Sequence, residues 1–177
     1  HKDMPDYAFA LNYGYHLDAG KFAGLLQRHS TEKLGVVHRS ADVVTVVGEG
    51  PGIISCLQLS DGTTVEGDLF VDCTGQRALL IGGHLGSKFV SLRDSLPNNR
   101  AVVAQVPYDD PQADIASFTL STAQKFGWIW DIGLQTRRGV GYVHDADSIS
   151  EDEAKSTLMQ YVRSTSSEHN AARCAPR

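Results

Sequence analysis

Both tryptophans of this chain, Trp128 and Trp130, stand two positions apart. They precede the turn Leu134-Gln135-Thr136-Arg137-Arg138-Gly139-Val140-Gly141. Side chains two apart on an extended strand share a face, so two indoles are set side by side on one surface. Two indoles left in water are costly, so that surface is either core or one wall of a ligand site. Spacing alone favours core. The alternation puts Asp131 on the opposite face, where it is expected to be wet, and Arg137 and Arg138 are expected to form a solvated turn.

The rest of the chain follows the same period in places and leaves it in others. Residues 126–132 and 140–144 read as neighbouring strands, joined by 101–107 and 115–122 in an antiparallel sheet. Tyr108-Asp109-Asp110-Pro111 is a turn. Upstream, Asp18 is a fair N-cap for a helix carrying Phe22, Leu25 and Leu26, with His29 on the edge of that stripe as a packing residue and Gly35 as the stop. Short strands are expected at 36–39, 43–47 and 53–59, with Asp61-Gly62 as a hairpin turn and 63–66 returning. Leu69-Phe70-Val71 is a continuous apolar run, the mark of a strand buried on both faces of a parallel sheet. Residues 76–81 are expected to make a helical turn. Ser150 with Glu153 is a capping box that starts a helix running to about residue 163.

The expected fold is therefore mixed α/β (α+β): a parallel strand with a β-meander, plus an antiparallel sheet. Residues 16–81 form one part, 100–145 the sheet, 150–163 a helix, and 164–177 an irregular or altered tail. Residues 1–15 read as irregular. Opening on His1 rather than Met, the chain reads as a piece of a longer protein.

Composition removes several classes of function. The 177 residues are 41% hydrophobic and 21% charged, a globular balance rather than a disordered one. The net charge of -5, with no basic block, gives no footprint for nucleic acid or an anionic membrane. No apolar run reaches the roughly 18 residues of a membrane span, and no signal peptide opens the chain. Cys56, Cys73 and Cys174 are odd in number and contain no CxxC pair, which argues against a disulfide framework or a zinc site and makes a reducing cytoplasm the default. His16-Leu17-Asp18 has no second cluster to complete a metal site, so no metal is expected.

Two glycine-bearing motifs invite a nucleotide. Gly48-Glu49-Gly50-Pro51-Gly52 fails as a dinucleotide loop, because its sixth position is Ile53 and a β-rich run follows in place of a helix. It reads as a hairpin loop. Asp72-Cys73-Thr74-Gly75 is better placed, at the carboxyl end of the expected parallel strand, where ligands of open α/β sheets gather. Asp72 accepts from a ligand hydroxyl and Gly75 lets the backbone approach a phosphate in one reading; in the other, Asp72 caps a strand-to-helix turn. The residues leave both open. No nucleophile triad and no general base is fixed by spacing.

Taken in order, four blocks resemble the flavin-dependent tryptophan halogenase family over roughly residues 7–163. Tyr15-His16-Leu17-Asp18-Ala19 is similar to its Tyr-His-(Phe/Leu)-Asp-Ala. Asp68-Leu69-Phe70-Val71-Asp72-Cys73-Thr74-Gly75 resembles its Asp-Leu-Phe-Val-Asp-Cys-(Ser/Thr)-Gly, and residues 101–107 with Asp109-Asp110 resemble its Ala-Val-Ala-x-x-Val-Pro…Asp-Asp. Residues 127–143 resemble Gly-Trp-x-Trp-x-Ile-Pro-Leu-Gln-x-Arg-x-Gly-x-Gly-Tyr-Val, the most specific of the four. Gly133 stands where that pattern has Pro, and Val143-His144-Asp145-Ala146 where it has Val-Tyr-Ser-Ser.

The resemblance implies the central part of a hydroxylase-type FAD-binding fold, with the antiparallel sheet on the substrate side. It implies that FAD, reduced by a separate flavin reductase, works with oxygen and chloride or bromide to halogenate tryptophan or another electron-rich aromatic. Val43 (or its neighbour Val44) matches the strand valine whose backbone meets the adenine, Asp72 and Gly75 fall in the cofactor-binding strand end, and Trp128, Trp130 and Ile132 form the flavin-side motif. No catalytic residue is assigned. The family's Gly-x-Gly-x-x-Gly loop and lysine precede the first residue, and its glutamate and halide-binding Thr-Gly follow the last, so the chain alone is expected to be inactive. An FAD-dependent aromatic hydroxylase and a non-catalytic binding module are the alternatives.

Overall fold

Residues 14–50 and 52–177 are described by a computed structural model. The reading of residues 1–15 as irregular therefore falls almost wholly outside the described residues, as does Pro51. Two compact units result, one of residues up to Gly24 with Leu92–Arg177, the other of Leu25–Ser91. The division falls within helix α1 (Ala19–Lys33).

In the second unit, β1 (Val43–Val47), β2 (Cys56–Leu59) and β3 (Thr64–Glu66) form an antiparallel sheet in the order β1-β2-β3. The turn between β2 and β3 is local chemistry. Asp61 accepts from the Thr63 amide at 2.9 Å, and Gly62 takes the positive φ (+83°) that the reversal needs. Antiparallel pairing of β1 with β2 makes the segment around Gly48 a hairpin connection, as expected. The register slips between Val43 and Thr45, so Val44 is the extra residue of a β-bulge.

Four expectations for this unit are corrected. Residues 36–39 form no strand, and 53–55 stay outside β2. Leu69-Phe70-Val71 is not a buried parallel strand: it joins no ladder among the described residues, and Leu69 and Val71 are 82% and 75% exposed. Apolar character supplies a strand's appetite for burial, but a strand exists only when a neighbour takes its hydrogen bonds. His29 is exposed rather than packed, as are Phe22, Leu25 and Leu26 of the α1 stripe. The helix itself starts as read, with Lys21 donating to the Asp18 carboxylate at 3.2 Å, and Gly35 past its end takes φ +69°.

The other unit holds the main core. Strands β4 (Arg100–Pro107), β5 (Leu120–Gln124), β6 (Gly127–Gly133) and β7 (Arg137–His144) pair antiparallel in the order β4-β7-β6-β5. Residues 115–119 lie outside β5, contrary to the expectation of a strand from 115. One face of the sheet presents Val102, Ala104, Val106, Ile129, Val140 and Tyr142 to helix α2 (Glu151–Thr165), which answers with Ala154, Leu158 and Val162. Those three recur every four residues and so lie on one helical stripe. Full burial of Leu158 and Val162 contributes about 1.5–3 kcal/mol each. The capping box is formed as read: Ser150 Oγ accepts from the Glu153 amide, and Glu153 accepts from the Ser150 amide at 3.0 Å.

The reading of 164–177 as an irregular tail is corrected as well. Ser167 caps a short helix, α3 (Glu168–Ala172), and Asn170 Nδ2 donates to Asp109 at 2.7 Å. Ala171 and Cys174 join the core. Val103 and Arg177 then exchange both backbone hydrogen bonds at 3.0 Å along the edge of β4. The segment has no long apolar period because its order comes from docking onto partners 60 or more residues upstream, such as Asp109, Gln105 and Val103.

Candidate functional site

The residues singled out by sequence fall into two groups, one in each unit. Val43, Asp72 and Gly75 belong to the unit of Leu25–Ser91. Val43 opens β1, paired with Leu59 beside the bulge. Asp72 is hydrogen-bonded within its own segment. Its Oδ1 accepts from the amide and hydroxyl of Thr74 at 3.1 and 2.6 Å, and its Oδ2 accepts from the amides of Leu80 and Ile81 at 2.9 and 3.0 Å. A carboxylate has about four acceptor positions, and all are used inside the chain. The same bonds hold its carboxyl well below the ordinary 3.8, at about 2, the Thr74 hydroxyl contributing most. Asp72 braces the second of the two turns that follow, a 3₁₀ turn Gly75–Arg77 and a π-helical turn Leu79–His84, by accepting from the Leu80 and Ile81 amides; together they are the helical turn expected at 76–81. Gly75 is different. It has φ +65°, and a Cβ built there would meet nothing within 4 Å, so its backbone is open to close approach.

Trp128, Trp130 and Ile132 stand together on one face of β6, the face turned away from α2. The indoles are neighbours, with ring centroids 6.1 Å apart and planes inclined at 59°. Trp128 is 39% exposed and Trp130 half-buried, and neither enters the core. The expectation of core from spacing alone is thus corrected: both indoles lie outside the core cluster, on the face of β6 away from α2. The core side of β6 belongs to Ile129 and Asp131.

Glycines on the adjacent strand make that placement possible. A Cβ at Gly141 would lie 2.1 Å from Trp130 Cζ2, so the six-membered ring of the indole lies directly over bare backbone. Gly139 has open space in front of it. A cleft of about 500 Å³ lies beside Trp130, lined also by Gly139, Gln105, Arg137, Arg173 and Arg177. Arg137 is held there by Asp18, Nη1 to Oδ2 at 2.6 Å, and this bond pulls the Asp18 carboxyl below its ordinary value. His16 meets Thr119 at 3.2 Å. The Tyr15–Ala19 block and the block following the tryptophans, 119 residues apart, are therefore joined by a charge-assisted hydrogen bond.

Three residues carry weight that sequence did not assign. Asp131 is buried, not wet: its carboxylate faces Arg138 Nε at 3.6 Å and accepts from the Tyr161 hydroxyl at 3.2 Å. Burial pushes its carboxyl up, against the pull of Arg138. Arg138 is likewise no solvated turn residue, since its guanidinium also donates to the Thr165 carbonyl and hydroxyl. Polarity argued for water at both, and only the position of α2 reveals the pairing. Gly133, the third, has Ile115 Cγ2 at 2.7 Å and the Tyr108 hydroxyl at 3.0 Å from where a Cβ would stand. The space for a proline ring is filled here by side chains from another segment. Among the described residues, no group of three or more His, Cys, Asp or Glu is arranged to hold a metal ion, and no helix is long and apolar enough to cross a membrane.

Comparison with known proteins gives the family and the fold. The family model described as tryptophan halogenase matches residues 1–175. The 7-chloro-L-tryptophan 6-halogenase KtzR of Kutzneria sp. (strain 744) is 42% identical over 150 residues, covering 85% of this chain and 29% of that protein. The tryptophan 7-halogenase RebH of Lentzea aerocolonigenes is 41% identical over 143 residues, covering 81% and 27%. The crystal structure of a tryptophan halogenase from Shewanella frigidimarina NCIMB 400 superposes with a TM-score of 0.85 at 45% identity, covering 97% of this chain and 32% of its own. The chain thus spans less than a third of the length of these relatives.

Proposed function

The chain belongs to the tryptophan halogenase family, and on that footing we propose that it is the central segment of a flavin-dependent halogenase acting on tryptophan or another electron-rich aromatic. The observation that carries the reading is the outward pair of indoles, Trp130 laid over the bare backbone of Gly141 and Trp128 beside it, in the segment whose pattern is the family's most specific. Gly139, with nothing within 4 Å of where a Cβ would stand, leaves open space beside Trp130 for a planar ring.

The residues present fit FAD in two respects. Gly75 offers open backbone beside the turn that Asp72 braces, and the β1 edge carries Val43 next to a bulge. Asp72 acts there as the support of that turn, and Gly75 and Val43 supply backbone to the cofactor. Trp128, Trp130 and Ile132 form the flavin-side wall that keeps the aromatic substrate away from the flavin. FAD, when bound, supplies the redox chemistry with oxygen and halide. Arg137, fixed by Asp18, lends positive charge to the cleft beside Trp130. The protein works in the cytoplasm with a separate flavin reductase.

The test is product analysis on the longer polypeptide that carries this segment, supplied with reduced FAD, oxygen and an aromatic substrate, with and without bromide. A brominated product that needs bromide is expected. A hydroxylated product formed regardless of halide would identify an aromatic hydroxylase instead.

A further inference from the structure

The buried carboxylate between the two indoles has no part in the chemistry above. Asp131 lies on the reverse of the β6 backbone from Trp128 and Trp130, between the two in sequence, and is 8% exposed. It touches two elements at once. Arg138 comes from β7, and Tyr161 comes from the third turn of α2. Arg138 is in turn bonded to Thr165 at the end of α2, through the carbonyl at 3.1 Å and the hydroxyl at 2.9 Å. A closed connection therefore runs β6–β7–α2 directly behind the indoles.

Apolar packing would hold the sheet to the helix more cheaply. A carboxylate loses hydration when it is buried, and an ion pair of this kind is often replaceable by apolar residues without loss of stability. What the contacts of Asp131 add is a fixed place for the strand against α2: the Tyr161 hydroxyl bond is directional, and Arg138 Nε at 3.6 Å supplies an ion pair without a hydrogen bond. The residue opposite Trp130 on β7 is Gly141, and opposite Ile132 it is Gly139, so among the β7 residues facing Trp128, Trp130 and Ile132 only Val143, opposite Trp128, presents a side chain and none stands opposite Trp130.

We propose that Asp131 is a positioning residue, clamping β6 to Arg138 and Tyr161 so that Trp128 and Trp130 keep one fixed orientation on the outward face. The role in catalysis that follows, holding the flavin-side wall still, rests on the halogenase reading; the clamp itself does not.

The two indoles are the only tryptophans of the chain, so their coupled circular dichroism in the 177-residue protein reports their mutual orientation directly. Asp131→Leu and Tyr161→Phe are compared with the unsubstituted chain, each checked by far-ultraviolet dichroism for retained secondary structure. Loss of the indole-pair signal in Asp131→Leu, and a smaller loss in Tyr161→Phe, with secondary structure retained, is the expected result. An unchanged indole signal in a folded Asp131→Leu chain overturns the proposal. Should that variant lose its fold, Tyr161→Phe decides alone, since it removes a single hydroxyl, and an unchanged signal there overturns it equally. In the longer polypeptide, Asp131→Leu is expected to lower the halogenated product formed per reduced flavin consumed while leaving the KM for the aromatic substrate unchanged. A halogenation yield equal to the unsubstituted enzyme's would overturn the catalytic role. If the unsubstituted polypeptide does not halogenate at all but the indole signal responds as expected, the halogenase reading falls and the clamp stands.

Discussion

Single atoms decide much of this molecule. Gly141 is the sharpest case, because its missing Cβ is where Trp130 Cζ2 lies 2.1 Å away. Gly141→Ala is expected to displace the indole and to destabilise the unit by about 1–3 kcal/mol, the cost of overpacking. Denaturant unfolding gives the energy, and indole emission gives the displacement. Asp72 makes a prediction in pH. Its folded value of about 2 lies below the ordinary 3.8, so its contribution to stability is fully present above the unfolded value and is lost as pH falls through the folded one. The protection factors of the Leu80 and Ile81 amides, which donate to it, should fall on acidification over that window, measured against the intrinsic exchange rate at each pH; in Asp72→Ala those amides should already be weakly protected at neutral pH. Sequence singled out Asp72 and assigned Gly141 no role. It named Asp72 without choosing between ligand and cap, because a free carboxylate and a satisfied one are spelled alike.

Elements differ in how much of their stability is local. Helix α2 announces itself through Ser150 and Glu153 and is pinned by Leu158, which is fully buried. Ser150→Ala is expected to cost about 1 kcal/mol, and Leu158→Ala about 2–5 kcal/mol because it also leaves a cavity. Thermal or urea unfolding of the two variants should preserve that order; a larger loss at Ser150 would mean that the cap, not the packing, holds the helix. The hairpin at Asp61-Gly62 was equally legible, since its turn chemistry lies within three residues. Leu69-Phe70-Val71 and residues 36–39 were not, because β-branched and apolar residues state a preference that only a pairing strand fulfils. Helix α3 was missed for the opposite reason. Five residues carry too little period to read, yet Asp109, Gln105 and Val103 fix the segment around it.

At the scale of the whole molecule, the unit of Leu25–Ser91 leaves many large apolar side chains exposed. Leu25, Leu34, Val36, Val37, Val44, Leu69, Val71, Phe89 and Val90 are all more than half exposed. Exposed apolar area of that extent marks a surface that associates. The 177-residue chain is therefore expected to bind a hydrophobic dye such as ANS. Dye fluorescence checks this, and a signal no higher than that of a well-packed control protein would refute it. The sequence by itself determined the family, the mixed α/β class, the capped helix and the two indoles on one strand face, since all of these are written in local spacing and motif. Which face of β6 is core was decided only by the tertiary structure. Alternation separates two faces but does not say which of them a helix covers, and α2 covers the side of Ile129 and Asp131. The same packing turned Asp131 and Arg138 from solvated charges into a buried pair, and left the indoles on the uncovered face of β6.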